Sequence, residues 1–155
     1  MEQWAKNSRG PFDPDKLGKL TCWGGLDLSS KIDISAWVKL FAPDDEGVMR
    51  VACRFWMPAA TIEERADRDR MPYRQWVDEG WIEATPGNVI DHAEIRDAVM
   101  GDSRRFEIDG IAYDPWNATQ LGVENRSNPS RNTRALARKS SIFQARLSGM
   151  LIVRQ

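Results

Sequence analysis

The sequence predicts an α/β domain whose sheet mixes antiparallel and parallel strands, in the order βββαβ. Three observations predict it. Three apolar or alternating stretches, 20–28, 34–41 and 48–57, are joined by short polar turns, which is the pattern of an antiparallel meander. A periodic segment opened by Asp91 reads as a helix. A further strand-like stretch, FEIDGIAY at 106–113, follows that helix, and a strand reached through a helical crossover pairs parallel.

The elements are expected in this order. Residues 1–19 are polar, carry Gly10, Pro11, Pro14 and Gly18, and read as a leader or linker. LTCWGGLDL (20–28) is an apolar strand ending in an acid, and ISAWVKLF (34–41) is rich in β-branched and aromatic residues. VMRVACRFWM (48–57) alternates over part of its length, and Pro43–Gly47 supplies the turn before it. Thr61 with Glu64 has the spacing of a capping box, ahead of a highly charged helix or surface excursion over 62–70. PYRQWVDE (72–79) is a short helix closed by Gly80, 81–84 a short strand, and 91–100 a helix closed by Gly101. Residues 122–141 lack apolar periodicity and are expected to leave Arg126, Arg131, Arg134 and Arg138 exposed, with a strand resuming at 150–153.

The chain has 155 residues, the length of one domain, with 41% hydrophobic and 29% charged residues, which excludes a disordered or fibrous chain. No apolar run approaches the ~18 residues of a membrane span, and the first ten residues hold no apolar signal segment. The net charge of −1 hides an asymmetry: residues 1–120 carry −7 and residues 121–155 carry +6, a basic tail suited to a polyanion contact. Cys22 and Cys53 sit in apolar stretches and read as reduced core thiols. Trp37, Trp56, Trp76, Trp81 and Trp116 read as core.

Asp27 ends one apolar strand, in GGLDLSS, and Asp114 follows another, in AYDPWNA. A carboxylate at the end of a buried strand loses hydration unless something compensates. A divalent cation with hard oxygen ligands does so, and two such strands side by side would converge on a two-metal phosphodiester site. From spacing alone, capping of a turn or of the next helix explains either Asp equally well and is the commoner reason for an acid there. His92, just after the helix start, reads as a surface or capping residue. Ser29 and Ser30 have no partner base in any recognisable arrangement. Arg65, Arg68, Arg70 and Arg74 interleave with Glu63, Glu64, Asp67 and Asp69 and read as a solvated face.

GGLDLSSKIDISAW, RFWMP, ADRDRMPYRQWVDEGWIEATPGNVIDHAEI and IAYDPWNATQL resemble, in that order, segments of the large terminase subunit of tailed bacteriophages, within its C-terminal nuclease domain. The resemblance covers 20–121 and implies a ribonuclease H-like mixed sheet with flanking helices, incomplete at the C-terminus. It implies a core over 20–121 between the leader 1–19 and an atypical basic tail 122–155. It implies metal-dependent endonucleolytic cleavage of double-stranded viral DNA during genome packaging, with Mg²⁺ or Mn²⁺ as cofactor. The implied partners are double-stranded DNA and, in the full-length family, the small terminase subunit and the portal, in the cytoplasm of a bacterial host and away from any membrane.

Residue by residue, Asp27 matches the first-strand metal ligand, Asp114 the acid after the fourth strand, and Asp33 a recurrent acid beside the first ligand, which otherwise reads as a turn residue. The family also has a third metal acid on a later helix and an N-terminal ATPase with a phosphate loop. Neither pattern occurs in these 155 residues. The chain therefore reads as a truncated form, with a local frame change or ordinary divergence behind residues 122–141, and is expected to cut DNA poorly in Mg²⁺. The alternatives are a non-catalytic prophage remnant or another ribonuclease H-like nuclease.

Overall fold

The computed structural model describes residues 10, 12–17, 20–29 and 33–113, and the backbone of 151–154. One sheet organises them. Its strands are β1 (Thr21–Asp27), β2 (Ser35–Phe41), β3 (Val51–Pro58), β4 (Glu83–Thr85), β5 (Glu107–Tyr113) and β6 (Leu151–Arg154). Their spatial order is β4-β3-β2-β1-β5-β6. The helices are α1 (Ile62–Asp69), α2 (Tyr73–Asp78) and α3 (His92–Arg105), with 3₁₀ turns at Pro14–Leu17 and Ala59–Thr61.

The meander forms as expected: β1, β2 and β3 pair antiparallel in sequence order. Asp44 builds the turn between β2 and β3, accepting from the Val48 N–H at 2.9 Å and the Glu46 N–H at 3.0 Å. β4 returns parallel to β3 after α1 and α2, and β5 returns parallel to β1 after α3. The strand expected near 150–153 is present and pairs antiparallel with β5. One irregularity marks the β1–β5 pair. Cys22 is level with Ile108 but Trp23 with Gly110, so β5 carries one extra residue, Asp109. The Asp109 carboxylate accepts from Trp23 Nε1 at 3.0 Å across the bulge.

Strand alternation splits the core in two. Alternate β2 residues are fully buried, and Trp37 and Phe41 join Cys22, Trp56 and Ile108 against Ile95 and Val99 of α3. Each such aliphatic side chain contributes about 1.5–3 kcal/mol by leaving water. On the other side of β3, Met57 packs with Ile62, Ala66, Tyr73 and Ile82 beneath α1 and α2.

Several expectations change. Gly101 does not close α3, which runs on to Arg105. The reason is tertiary: Asp102 is 2% exposed and holds Lys39 and Trp37, so packing carries the helix past a residue of poor propensity. Thr61 forms no cap; its hydroxyl donates to the Pro58 carbonyl at 2.9 Å instead. Asp91 does cap α3, accepting from the Ala93 N–H at 2.8 Å, and Gly80 ends α2 at φ 76°. Cys53 is exposed and only Cys22 is a core thiol, because β3 shows its first residues to solvent on that face. Burial raises the Cys22 thiol to about 11, so it stays protonated and unreactive. Trp81 is 66% exposed, since it lies in the turn after α2, with its Nε1 on Glu79. The leader contributes a 3₁₀ turn, and Leu17 and Leu20 pack on the core. Trp116 and the whole stretch 122–141, with its four arginines, lie outside the described residues.

Candidate functional site

Asp27 is the last residue of β1, exposed at the end of the sheet where β1 and β5 finish side by side. In the parallel register, Leu26 is level with Tyr113, so the two acids each follow a paired residue in the sequence. Asp114 itself lies outside the described residues. Across the other edge of β1, Asp27 is level with Ala36 of β2, and its side chain is exposed.

The chain leaving β1 is tied down at once. Leu28 and Ser29 are buried. The Ser29 N–H donates to Ser35 Oγ at 2.8 Å, and the Asp33 N–H donates to Ser29 Oγ at 2.9 Å. His92, at the start of α3, puts Nε2 3.2 Å from the Ser29 carbonyl. A carbonyl only accepts, so this nitrogen carries the proton. His92 is thus half-buried and fastens α3 to the β1 exit, more than the surface or capping role its position suggested.

Asp33 lies at the far end of this connection, with its side chain 76% exposed. Its Oδ1 accepts from Arg65 Nη1 at 2.8 Å. Arg65 is not part of a solvated face. It is 8% exposed, donates through Nε and Nη2 to Asp69 at 2.9 and 2.8 Å, and lies over the Tyr73 ring at 5.6 Å. Its signal in the sequence was the i,i+4 pairing with Asp69 on the same helical side as Ile62 and Ala66. Arg68 and Arg74 keep to the surface and pair with acids there.

Hydrogen bonds from Arg68 and then Arg65 pull the Asp69 carboxyl down from 3.8 to about 2. A depressed carboxyl pKa stabilises the fold above its unfolded value and loses that contribution as pH falls through the folded one. The Asp69→Asn variant should therefore be less stable than the parent at pH 7. The gap in urea midpoints should close between about pH 4 and 2. A gap independent of pH would assign the effect to packing.

Among the described residues no three His, Cys, Asp or Glu side chains stand close enough to form a metal cluster. What Asp27 offers is a single open carboxylate, a hard oxygen donor of the kind Mg²⁺ and Mn²⁺ take alongside water and phosphate oxygens.

Residues 1–126 match the family model described as the terminase large subunit, endonuclease domain. The chain belongs to the terminase large-subunit endonuclease domain family. It is 39% identical over 103 residues to the large terminase subunit of Enterobacteria phage HK97, which covers 64% of this chain and 19% of that protein. The crystal structure of the HK97 bacteriophage large terminase aligns with a TM-score of 0.69 and 30% identity, over 81% of this chain and 25% of that one. This terminase nuclease domain thus spans a quarter or less of the length of those relatives, and its mixed sheet with flanking helices has the ribonuclease H-like architecture. No described helix is long and apolar enough to cross a membrane.

Proposed function

We propose that this domain cleaves double-stranded viral DNA endonucleolytically, in a metal-dependent reaction, during genome packaging. The observation that carries the reading is the parallel adjacency of β1 and β5, with Leu26 level with Tyr113 and an acid following each of these two residues in the sequence. Family membership supports the reaction class. Asp27, exposed at the end of β1, and Asp114, the next residue in sequence after β5, are the residues that would hold the cations. Divalent ions supply charge stabilisation for the attacking and leaving oxygens of an in-line displacement at phosphorus. The protein's own part is to fix Asp27 on a strand flanked on both edges, and to bury the next two residues, Leu28 in the core. The +6 segment 121–155 adds attraction for the phosphate backbone. The small terminase subunit and the portal are the proposed partners in a longer protein, in the cytoplasm of the bacterial host.

The test is nicking of supercoiled plasmid by the 155-residue chain. Cutting is expected with Mn²⁺ before Mg²⁺, because Mg²⁺ demands near-ideal octahedral geometry. It should be lost in both Asp27→Asn and Asp114→Asn. Cutting that survives both substitutions, or that persists in excess chelator, would place the chemistry elsewhere.

A further inference from the structure

We propose that Arg65 is a positioning residue for the Asp27 site: its ion pair with Asp33 clamps the β1–β2 connection, and Asp33 anchors that clamp and does not ligate metal. The inference rests on the nuclease reading above for its target, and on the observed contacts for its mechanism.

The guanidinium is oriented before it meets Asp33. Asp69 takes two of its N–H groups, and Tyr73 lies under its plane and donates its own hydroxyl to Asp69 at 3.3 Å. Nη1 is left pointing at Asp33 Oδ1, 2.8 Å away. An ordinary exposed pair contributes little, because two flexible chains must be ordered to make it. Here one partner is already held, so the pair restrains the exposed one.

That restraint travels a short path. The Asp33 backbone bonds to Ser29 Oγ, and the Ser29 backbone bonds to Ser35 Oγ. Ser29 is two residues beyond Asp27. Arg65 in α1 therefore fixes the exit of the strand that carries the candidate ligand. A cation drawn to Asp33 would have to displace a charge-assisted bond and sit beside a fixed positive charge, both unfavourable.

Mn²⁺ titration calorimetry and amide hydrogen exchange test this on the whole chain. The set is the parent, Arg65→Gln, Arg65→Lys, Asp33→Asn and the Arg65→Gln/Asp33→Asn double variant. Asp33→Asn, altered at an exposed side chain, keeps the test open if Arg65→Gln fails to fold. The clamp predicts that Arg65→Gln and Asp33→Asn weaken Mn²⁺ binding by a similar factor of about ten, the usual effect of losing a supporting partner of a ligand. The double variant should be no worse than either single one, and Arg65→Lys should restore part of the loss. The Ser29 and Asp33 amides should exchange faster in both single variants. Loss of Mn²⁺ binding in Asp33→Asn alone would make Asp33 a ligand and overturn the proposal. Unchanged exchange and affinity in both variants would overturn it too. A parent chain that binds no Mn²⁺ would sink the nuclease reading, while the exchange rates would still decide the clamp.

Discussion

Replacing Asp102 by alanine should destabilise the domain by about 3–5 kcal/mol, read as a shift in urea unfolding at pH 7. Asp102 sits 2% exposed on the sheet side of α3, paired with Lys39, which is 4% exposed in the middle of β2. The same carboxylate accepts from Trp37 Nε1 at 2.9 Å. Alanine would leave an ammonium and an indole N–H in the core with no acceptor. The lost attraction is the smaller part of the effect. Most of it is the desolvation of a charge that water cannot reach. Arg105 also donates to Asp102, at 3.5 Å, but its half-exposed guanidinium keeps its water and loses little when the carboxylate goes. The companion variant Lys39→Met/Asp102→Leu removes both charges together and should recover much of the loss. If the double variant is as unstable as Asp102→Ala, the buried charge is not the cause.

Gly24→Ala should destabilise by about 3 kcal/mol, the upper end for overpacking, while Gly25→Ala next to it should be nearly neutral. A Cβ at Gly24 would stand 2.2 and 2.5 Å from the tip of the Trp37 ring and 3.2 Å from Ile111. The indole cannot swing away, because Asp102 holds its nitrogen and it is fully buried. A Cβ at Gly25 meets nothing closer than Val38 at 4.0 Å. At this chain length the first change corresponds to a melting temperature lower by about 10 °C. Equal effects at the two positions would mean that strand entropy, not the Trp37 contact, sets the outcome.

These two sites show what could be read from the chain and what could not. The meander, the Asp91 cap and the helix after it were legible because local signals and tertiary demand agree there. Gly24 and Gly25 looked alike as sequence, and only the ring of Trp37 on one face separates them. Lys39 and Asp102 are 63 residues apart, and nothing in their neighbours announces a pair. Gly101 misplaced the end of α3 for that reason. Arg65 was misread because a charged i,i+4 pattern is the same on a wet face and a dry one; Tyr73 and the second core cluster decide which it is. At the candidate site, the position of Asp27 at a strand end was legible, and so was the pairing of its strand with the one leading to Asp114. The tethering of its exit by Ser29, Ser35 and His92 was not, since two serines and one histidine carry no spacing rule.

The extra residue in β5 has a bearing on how such a domain tolerates change over time. The alignment of the two strand ends is set inside the strands, where Asp109 is accommodated and tied to Trp23, and not by the length of chain between them. The long excursion from β1 to β5 can therefore gain or lose loop residues, as surface loops do at low free-energy cost, while the ends of the two strands stay level. A single residue added or lost between Trp23's partner and Tyr113 would do what dozens elsewhere would not: it would move the end of β5 by one step and turn its side chains to the opposite face. Drift in this lineage should collect in the crossovers and spare the few residues from the bulge to the strand end.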